Sequence, residues 1–147
     1  MQAADHELLR VVVADDHAAM RESLREDLEA AGIEVVGEAE TGREAIEAAL
    51  AHRPQLCLLD LQMPELTGIE AAAEIKARLA AVKVVIITAD PDAETLFDAI
   101  RAGAEGSLSK RIDAVRLPVV LRAVAAGDTA YPRRELQQAL SRFLAAA

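Results

Sequence analysis

The chain has 147 residues, of which 52% are hydrophobic but only 2% aromatic, and a net charge of −9. That length suits one domain, able to hide roughly two-thirds of the surface its unfolded chain exposes, and with so few rings its core must be aliphatic. The charge repels nucleic acid and no basic cluster offsets it, the single cysteine, Cys57, excludes an internal disulfide, and apolar runs such as Val84–Ile87 fall far short of the ~20 residues of a membrane span. The opening, Met1–Arg10, is mixed and acidic without a signal-peptide pattern. A soluble, cytoplasmic protein is expected.

In chain order, Leu8–Ala14 reads as a buried strand. Met20, Leu24 and Leu28 recur every four residues and predict a helix over Ala18–Ala31, ended by Gly32. Ile33–Gly37 reads as a second strand. Thr41 or Gly42 caps a helix over Arg43–His52, with Ile46 and Leu50 inward, and Pro54 stops it. Gln55–Leu59 is a third strand, Thr67–Leu79 a helix with Ile69, Ile75 and Leu79 on one side, and Val82–Thr88 a fourth strand. Asp92–Ala102 is a helix ended by Gly103. Ser107–Leu108 is a short fifth strand, with a helix near Val119–Ala126. After a turn at Gly127–Pro132, Leu136, Leu140, Phe143 and Leu144 mark one more amphipathic helix.

Strict alternation of strand and helix implies a parallel sheet covered on both faces, with ligands at the carboxyl ends of the strands. Those ends carry the chemistry. The first strand ends in Asp15-Asp16, the third in Asp60 and the fourth in Thr88, and the fifth leads into Lys110. Three carboxylates in one cleft stay ionised only beside a cation. An all-oxygen set without Cys or His ligands suits a hard ion, Mg²⁺ before others. Lys110 can pair with Asp60 or a phosphoryl oxygen, and Thr88 can donate a hydrogen bond to the same group. Phosphoryl transfer needs such positioning and charge neutralisation, and an aspartate can serve as the nucleophile.

At these residues the sequence resembles the receiver domains of bacterial two-component response regulators. The carriers are Ala14-Asp15-Asp16-His17, Asp60-Leu61-Gln62-Met63-Pro64 with Gly68 following, Thr88-Ala89, and Gly103-Ala104-Glu105-Gly106-Ser107-Leu108-Ser109-Lys110. The Asp-Asp-His opening and the Gly-Ala-x-Gly stretch look closest to the NarL/FixJ (LuxR-type) branch. Each motif alone is weak, but four in order at the right strand ends are specific. The resemblance implies a flavodoxin-like (βα)₅ fold, CheY-like, with strand order 2-1-3-4-5. It covers roughly Leu8–Gly127, giving a receiver at 8–127 and a linker or extra helix at 128–147, with no DNA-binding domain in this chain.

The resemblance implies these roles. Asp60 matches the phospho-acceptor, taking a phosphoryl group from a sensor histidine kinase in a Mg²⁺-dependent reaction. Asp16 matches the direct metal ligand, Asp15 the acid acting largely through water, and Gln62 the position whose backbone carbonyl reaches the metal. Thr88, with Ala89 beside it, matches the switch hydroxyl, and Lys110 the phosphate-pairing lysine. Gln62 and Asp90 occupy positions that tune phosphate lifetime. Such a module is no enzyme beyond its own phosphorylation and dephosphorylation, and its output is expected to be transcription through a DNA-binding domain absent here. Homodimerisation is left open; membrane and direct nucleic-acid contacts are not expected.

Three positions depart from the family. Ser107 replaces the usual Tyr or Phe of the aromatic switch. Arg111 follows Lys110 where many receivers have a cis-proline. Pro118 lies inside the predicted last helix and lacks a backbone donor, so that helix is expected to start late. His17 reads as a polar helix-start residue rather than a metal ligand, and Cys57 as a core residue. Taken alone, Asp15-Asp16 could cap a helix, Asp60 could be a loop acid, Thr88 an ordinary strand end and Lys110 a surface lysine. Their coincidence argues otherwise. A haloacid-dehalogenase-type hydrolase would need a second Asp where Gln62 stands. A flavodoxin-like cofactor binder would need a phosphate loop where Asp15-Asp16 stand. A degenerate scaffold receiver conflicts with the intact Asp, Thr and Lys set.

Overall fold

The computed structural model of the chain describes residues 8–146. Met1–Glu7, part of the opening read above for a signal peptide, lies outside them. Val11–Ala14, Leu56–Leu59 and Val84–Ile87 are apolar at every position and fully buried, as strands covered on both faces require. They belong to β1 (Arg10–Ala14), β3 (Leu56–Asp60) and β4 (Lys83–Thr88). With β2 (Glu34–Ala39) and β5 (Gly106–Ser109) they form a five-stranded parallel sheet in the order β2-β1-β3-β4-β5, the order expected. The β1–β2 register shifts once, between Val11 and Val12.

The helices are α1 (Ala18–Ala30), α2 (Gly42–His52), α3 (Gly68–Arg78), α4 (Ala93–Arg101), α5 (Arg116–Ala125) and α6 (Arg133–Ala146). Period-two alternation along the strands divides the core. Val12, Cys57, Leu59, Val84 and Ile86 face Ile46 of α2 and Ile75 of α3. Val11, Val13, Leu58, Val85 and Ile87 face Leu24 and Leu28 of α1 and Leu117, Leu121 and Val124 of α5. Each such side chain stabilises the fold by about 1.5–3 kcal/mol through burial. Caps fix where the site helices begin. Thr67 and Glu70 form a reciprocal capping box at α3, and Asp92 Oδ1 accepts from the Thr95 N–H at 2.7 Å at α4.

Two expectations are corrected. Helix α5 does not start late: it begins two residues before Pro118, which is its third residue. The first N–H groups of a helix have no intrahelical partner, so proline costs little there. The Asp113 carboxylate caps this start by accepting from the N–H groups of Val115 and Arg116, at 3.1 and 2.7 Å. Helix α6 exists, but its inward stripe is Leu136, Ala139 and Phe143, set against Leu96, Phe97 and Ile100 of α4. Leu140 and Leu144 are 49% and 78% exposed. The small Ala139, rather than a leucine, lets the two helices approach. No helix among the described residues is long and apolar enough to cross a membrane.

Candidate functional site

Parallel strands share a carboxyl edge, and the strand order reverses between β1 and β3. Asp15 and Asp16 directly follow β1, Asp60 is the last residue of β3, Thr88 the last of β4, and Lys110 follows β5. All five surround that reversal. Asp15, Asp60 and Thr88 are buried. Backbone bonds fix the loops that carry them: Asp15 N–H to the Ala39 carbonyl at 3.0 Å, and Lys110 N–H to the Thr88 carbonyl at 2.9 Å. Arg21 braces the first loop, donating to the Asp15 carbonyl at 2.7 Å while pairing with Glu38.

The Lys110 ammonium bridges two acids, 3.1 Å from Asp15 Oδ2 and 3.0 Å from Asp60 Oδ1. Burial, helped by the Asp15 charge and opposed by Lys110, holds the Asp60 carboxyl above its usual range. Burial works to lower the Lys110 ammonium, but the hydrogen bonds and charges of Asp60 and Asp15 overcome it, so it lies above its usual value. One ammonium cannot satisfy three carboxylates. Asp16 Oδ1 and Asp60 Oδ2 are buried without a hydrogen-bond partner. Asp15, Asp16, His17 and Asp60 each present a ligand atom within 4.8 Å of the others. Such a set of orphaned oxygens fits a hard divalent cation, which would neutralise what Lys110 leaves over.

The acids open into a cleft of about 360 Å³ lined by Asp60, Leu61, Gln62, Thr88, Ala89, Asp90 and Lys110, with His17, Asp92 and Thr95 completing the wall. Of the expected site residues, Asp60, Gln62, Thr88, Ala89 and Lys110 line this cleft, Asp15 and Asp16 join Asp60 in the acidic cluster, and Ser107 stands apart. Ser107 is buried along β5, where its N–H donates to the Ala130 carbonyl at 2.9 Å. Sequence reasoning passed over Asp92 and Thr95 as wall residues. Their Asp-x-x-Thr spacing is a helix-cap pattern that places the first turn of α4 against the cleft. Gly68 also serves the site. A Cβ there would collide with the Asp60 carbonyl oxygen, so only glycine lets α3 begin against the end of β3.

A 2-1-3-4-5 sheet with buried acids, a hydroxyl and a lysine at its switch point defines a receiver-type signalling domain. The family model for the response regulator receiver domain matches residues 11–122. The chain is 38% identical over 108 residues to the chemotaxis protein CheY of Bacillus subtilis, covering 74% of this chain and 90% of CheY. It is 34% identical over 137 residues to the transcriptional regulatory protein LiaR of the same organism, covering 92% of this chain and 65% of LiaR. Among solved structures, a LuxR-family two-component response regulator from Aurantimonas superposes with a TM-score of 0.84 at 29% identity, covering 94% of this chain and 99% of that one. The chain belongs to the response regulator receiver family, and its relatives are LuxR-family regulators of the NarL and LiaR kind. It spans between 52% and 65% of the length of such transcriptional regulators. Receiver domains are signalling modules of two-component systems.

Proposed function

We propose that Asp60 is the phosphoryl acceptor of this receiver and that a histidine kinase supplies the group. The observation that carries the reading is the state of the Asp60 carboxylate: buried at the end of β3, Oδ1 held 3.0 Å from the Lys110 ammonium and Oδ2 without a partner. A carboxylate oxygen attacks the phosphorus of a phosphohistidine. The N–P bond breaks as the O–P bond forms, and its electron pair returns to the donor imidazole. Lys110 stabilises the added negative charge, and the Thr88 hydroxyl donates to a phosphoryl oxygen. Asp15, Asp16, Asp60 and the Gln62 backbone carbonyl are the groups to hold Mg²⁺, which when bound supplies the positive charge that lets phosphate approach three acids. Asp15 also orders the loop, accepting from the His17 N–H at 2.9 Å. Gln62 and Asp90 lie where side chains govern water's approach to an acyl phosphate, and so its lifetime.

The receiver comprises residues 8–127, and 128–147 is a linker with an extra helix, α6, which packs on α4. We assign the chain to the cytoplasm and its output to transcription, through a DNA-binding domain outside it. Intact mass after incubation with Mg²⁺ and a small acyl phosphate tests the chemistry. One phosphoryl adduct, acid-stable and base-labile, is expected in the wild type and none in Asp60→Asn. An unchanged adduct in that variant defeats the assignment.

A further inference from the structure

His17 stands at the N-cap of α1, yet its side chain makes no capping bond. Its side chain is 73% exposed, so burial does not hold the ring in place. The ring nevertheless turns back over the acidic pair, with Nδ1 3.1 Å from Asp16 Oδ1 and 3.4 Å from Asp15 Oδ1. A nitrogen and a carboxylate oxygen at 3.1 Å would ordinarily be a hydrogen bond. Here Asp16 Oδ1 has no hydrogen-bond partner, so the ring N–H direction does not meet it. A contact that close, with no hydrogen bond along it, is accounted for when both atoms face one cation.

The separation has a natural source. Neighbouring ligand atoms of an octahedral ion with bonds of about 2.1 Å lie roughly 3.0 Å apart. The Asp16–His17 distance of 3.1 Å matches that spacing. The rest of the cluster is independently poised. Asp60, 2% exposed, leaves Oδ2 unpartnered, and one atom from each of Asp15, Asp16, His17 and Asp60 falls within 4.8 Å of the others.

We propose that His17 is a nitrogen ligand, through Nδ1, that biases this cation site from Mg²⁺ toward first-row transition ions, Mn²⁺ foremost. The inference rests on reading the acidic cleft as a divalent-cation site and adds a residue outside the expected all-oxygen set. Imidazole suits the transition ions, whereas Mg²⁺ is served by carboxylate, carbonyl and water and gains little from nitrogen. One histidine among hard oxygens therefore changes which ion the site prefers while leaving the acids that hold either ion intact.

The test uses the full chain, stripped of metal, titrated calorimetrically with MgCl₂ and with MnCl₂ as wild type, His17→Ala and His17→Gln. Removing the imidazole is expected to weaken Mn²⁺ binding about tenfold or more and Mg²⁺ binding less than about twofold. Pulsed electron paramagnetic resonance on the Mn²⁺-loaded protein gives a second readout. The ¹⁴N modulation of a directly bound imidazole is expected in the wild type and absent in His17→Ala. Equal losses for both ions, no loss for either, or no ¹⁴N coupling in the wild type would overturn the proposal. If the wild type binds neither ion, the cation reading of the cleft falls with it. If it binds both ions and the variants do not discriminate, only the role of His17 falls.

Discussion

Lys110→Met keeps the aliphatic stem and removes the ammonium that bridges Asp15 and Asp60 at 3.1 and 3.0 Å. Two buried carboxylates then face each other with no counter-charge. Removing one partner of a buried ion pair costs about 3–5 kcal/mol. The lysine side chain is 19% exposed, which tempers the loss, so the lower end, about 3 kcal/mol in metal-free buffer, is expected. Asp60→Asn acts oppositely. It removes one of two like charges and keeps an oxygen for Lys110 to donate to, so stability should stay within about 1 kcal/mol of wild type or rise. At roughly 2–4 °C per kcal/mol for a domain of this size, Lys110→Met melts about 6–12 °C low. The double variant should recover part of that loss, because the two changes share one contact. Urea and thermal melts in EDTA measure all four proteins. Excess Mg²⁺ should narrow the Lys110→Met deficit, since a bound cation takes over neutralisation. A Lys110→Met variant within 1 kcal/mol of wild type, or an Asp60→Asn variant weaker than Lys110→Met, would refute the charge-balance argument.

Gly68→Ala drives a Cβ into the Asp60 carbonyl oxygen and is expected to cost about 1–3 kcal/mol in urea melts; it should also slow acyl-phosphate labelling, and normal labelling would show that α3 does not position Asp60. Burial pushes the Cys57 thiol up from 9.0 to about 12. Its folded value is raised, so its contribution is whole below pH 9 and drains as pH rises toward 12, with Lys110 and Tyr131, also raised, draining in the same direction. Relative to its own stability at pH 8, Cys57→Ala should therefore lose about 2 kcal/mol less than wild type by pH 10.5, and parallel stability curves would contradict this. For the conformational response, Thr88→Ala should abolish most of the change in hydrogen exchange over Ala93–Arg101 caused by a phosphate mimic, and Ser107→Ala should alter little; the reverse ranking would place the route elsewhere.

Much of this was legible because the chemistry sits where strands end, and strand ends are marked by composition. Apolar runs give way to Asp15-Asp16, Asp60 and Thr88, and parallel topology brings those points together whatever the loops do. What escaped was not periodic. Pro118 suggested a late helix because proline withholds a donor, but its cost depends on its place in the helix, and the cap that sets that place is Asp113, a residue with no apolar signature. The periodicity of α6 picks out Leu136, Leu140, Phe143 and Leu144, of which Leu136 and Phe143 do face α4, whereas close helix packing selects Ala139 in place of Leu140 and Leu144. Thr95 lines the cleft only because Asp92 caps α4 at that point. The ammonium of Lys76, 2.6 Å from Glu105, ties α3 to the loop before β5, and no spacing rule joins residues that far apart.

Ser107 shows how a departure at one position is answered elsewhere. Receivers with a ring there have an aromatic side chain of their own along β5; this chain has a serine whose N–H is taken by the Ala130 carbonyl at 2.9 Å. The Ala130 N–H returns a bond to the Glu105 carbonyl at 2.9 Å, so the segment after α5 runs along the open edge of the sheet. The next residue, Tyr131, donates its hydroxyl to the Ala104 carbonyl at 2.6 Å. Phe143 of α6 then packs on Phe97 of α4 with ring centroids 4.3 Å apart. The rings near α4 and β5 thus come from α4 itself and from the carboxyl-terminal segment. Helix α4 is bounded on one side by the cleft, through Asp92 and Thr95, and on the other by α6. If Thr88 draws the cleft loop inward, α4 cannot follow without sliding Phe97 against Phe143. That contact belongs to a small cluster separate from the two main cores, and small peripheral clusters open at lower free energy than cores do. Under the proposed role of Asp60, the face open to a response would be built jointly by α4 and the segment beyond Gly127, and a response that began at Thr88 would reach α6 without requiring a ring at position 107.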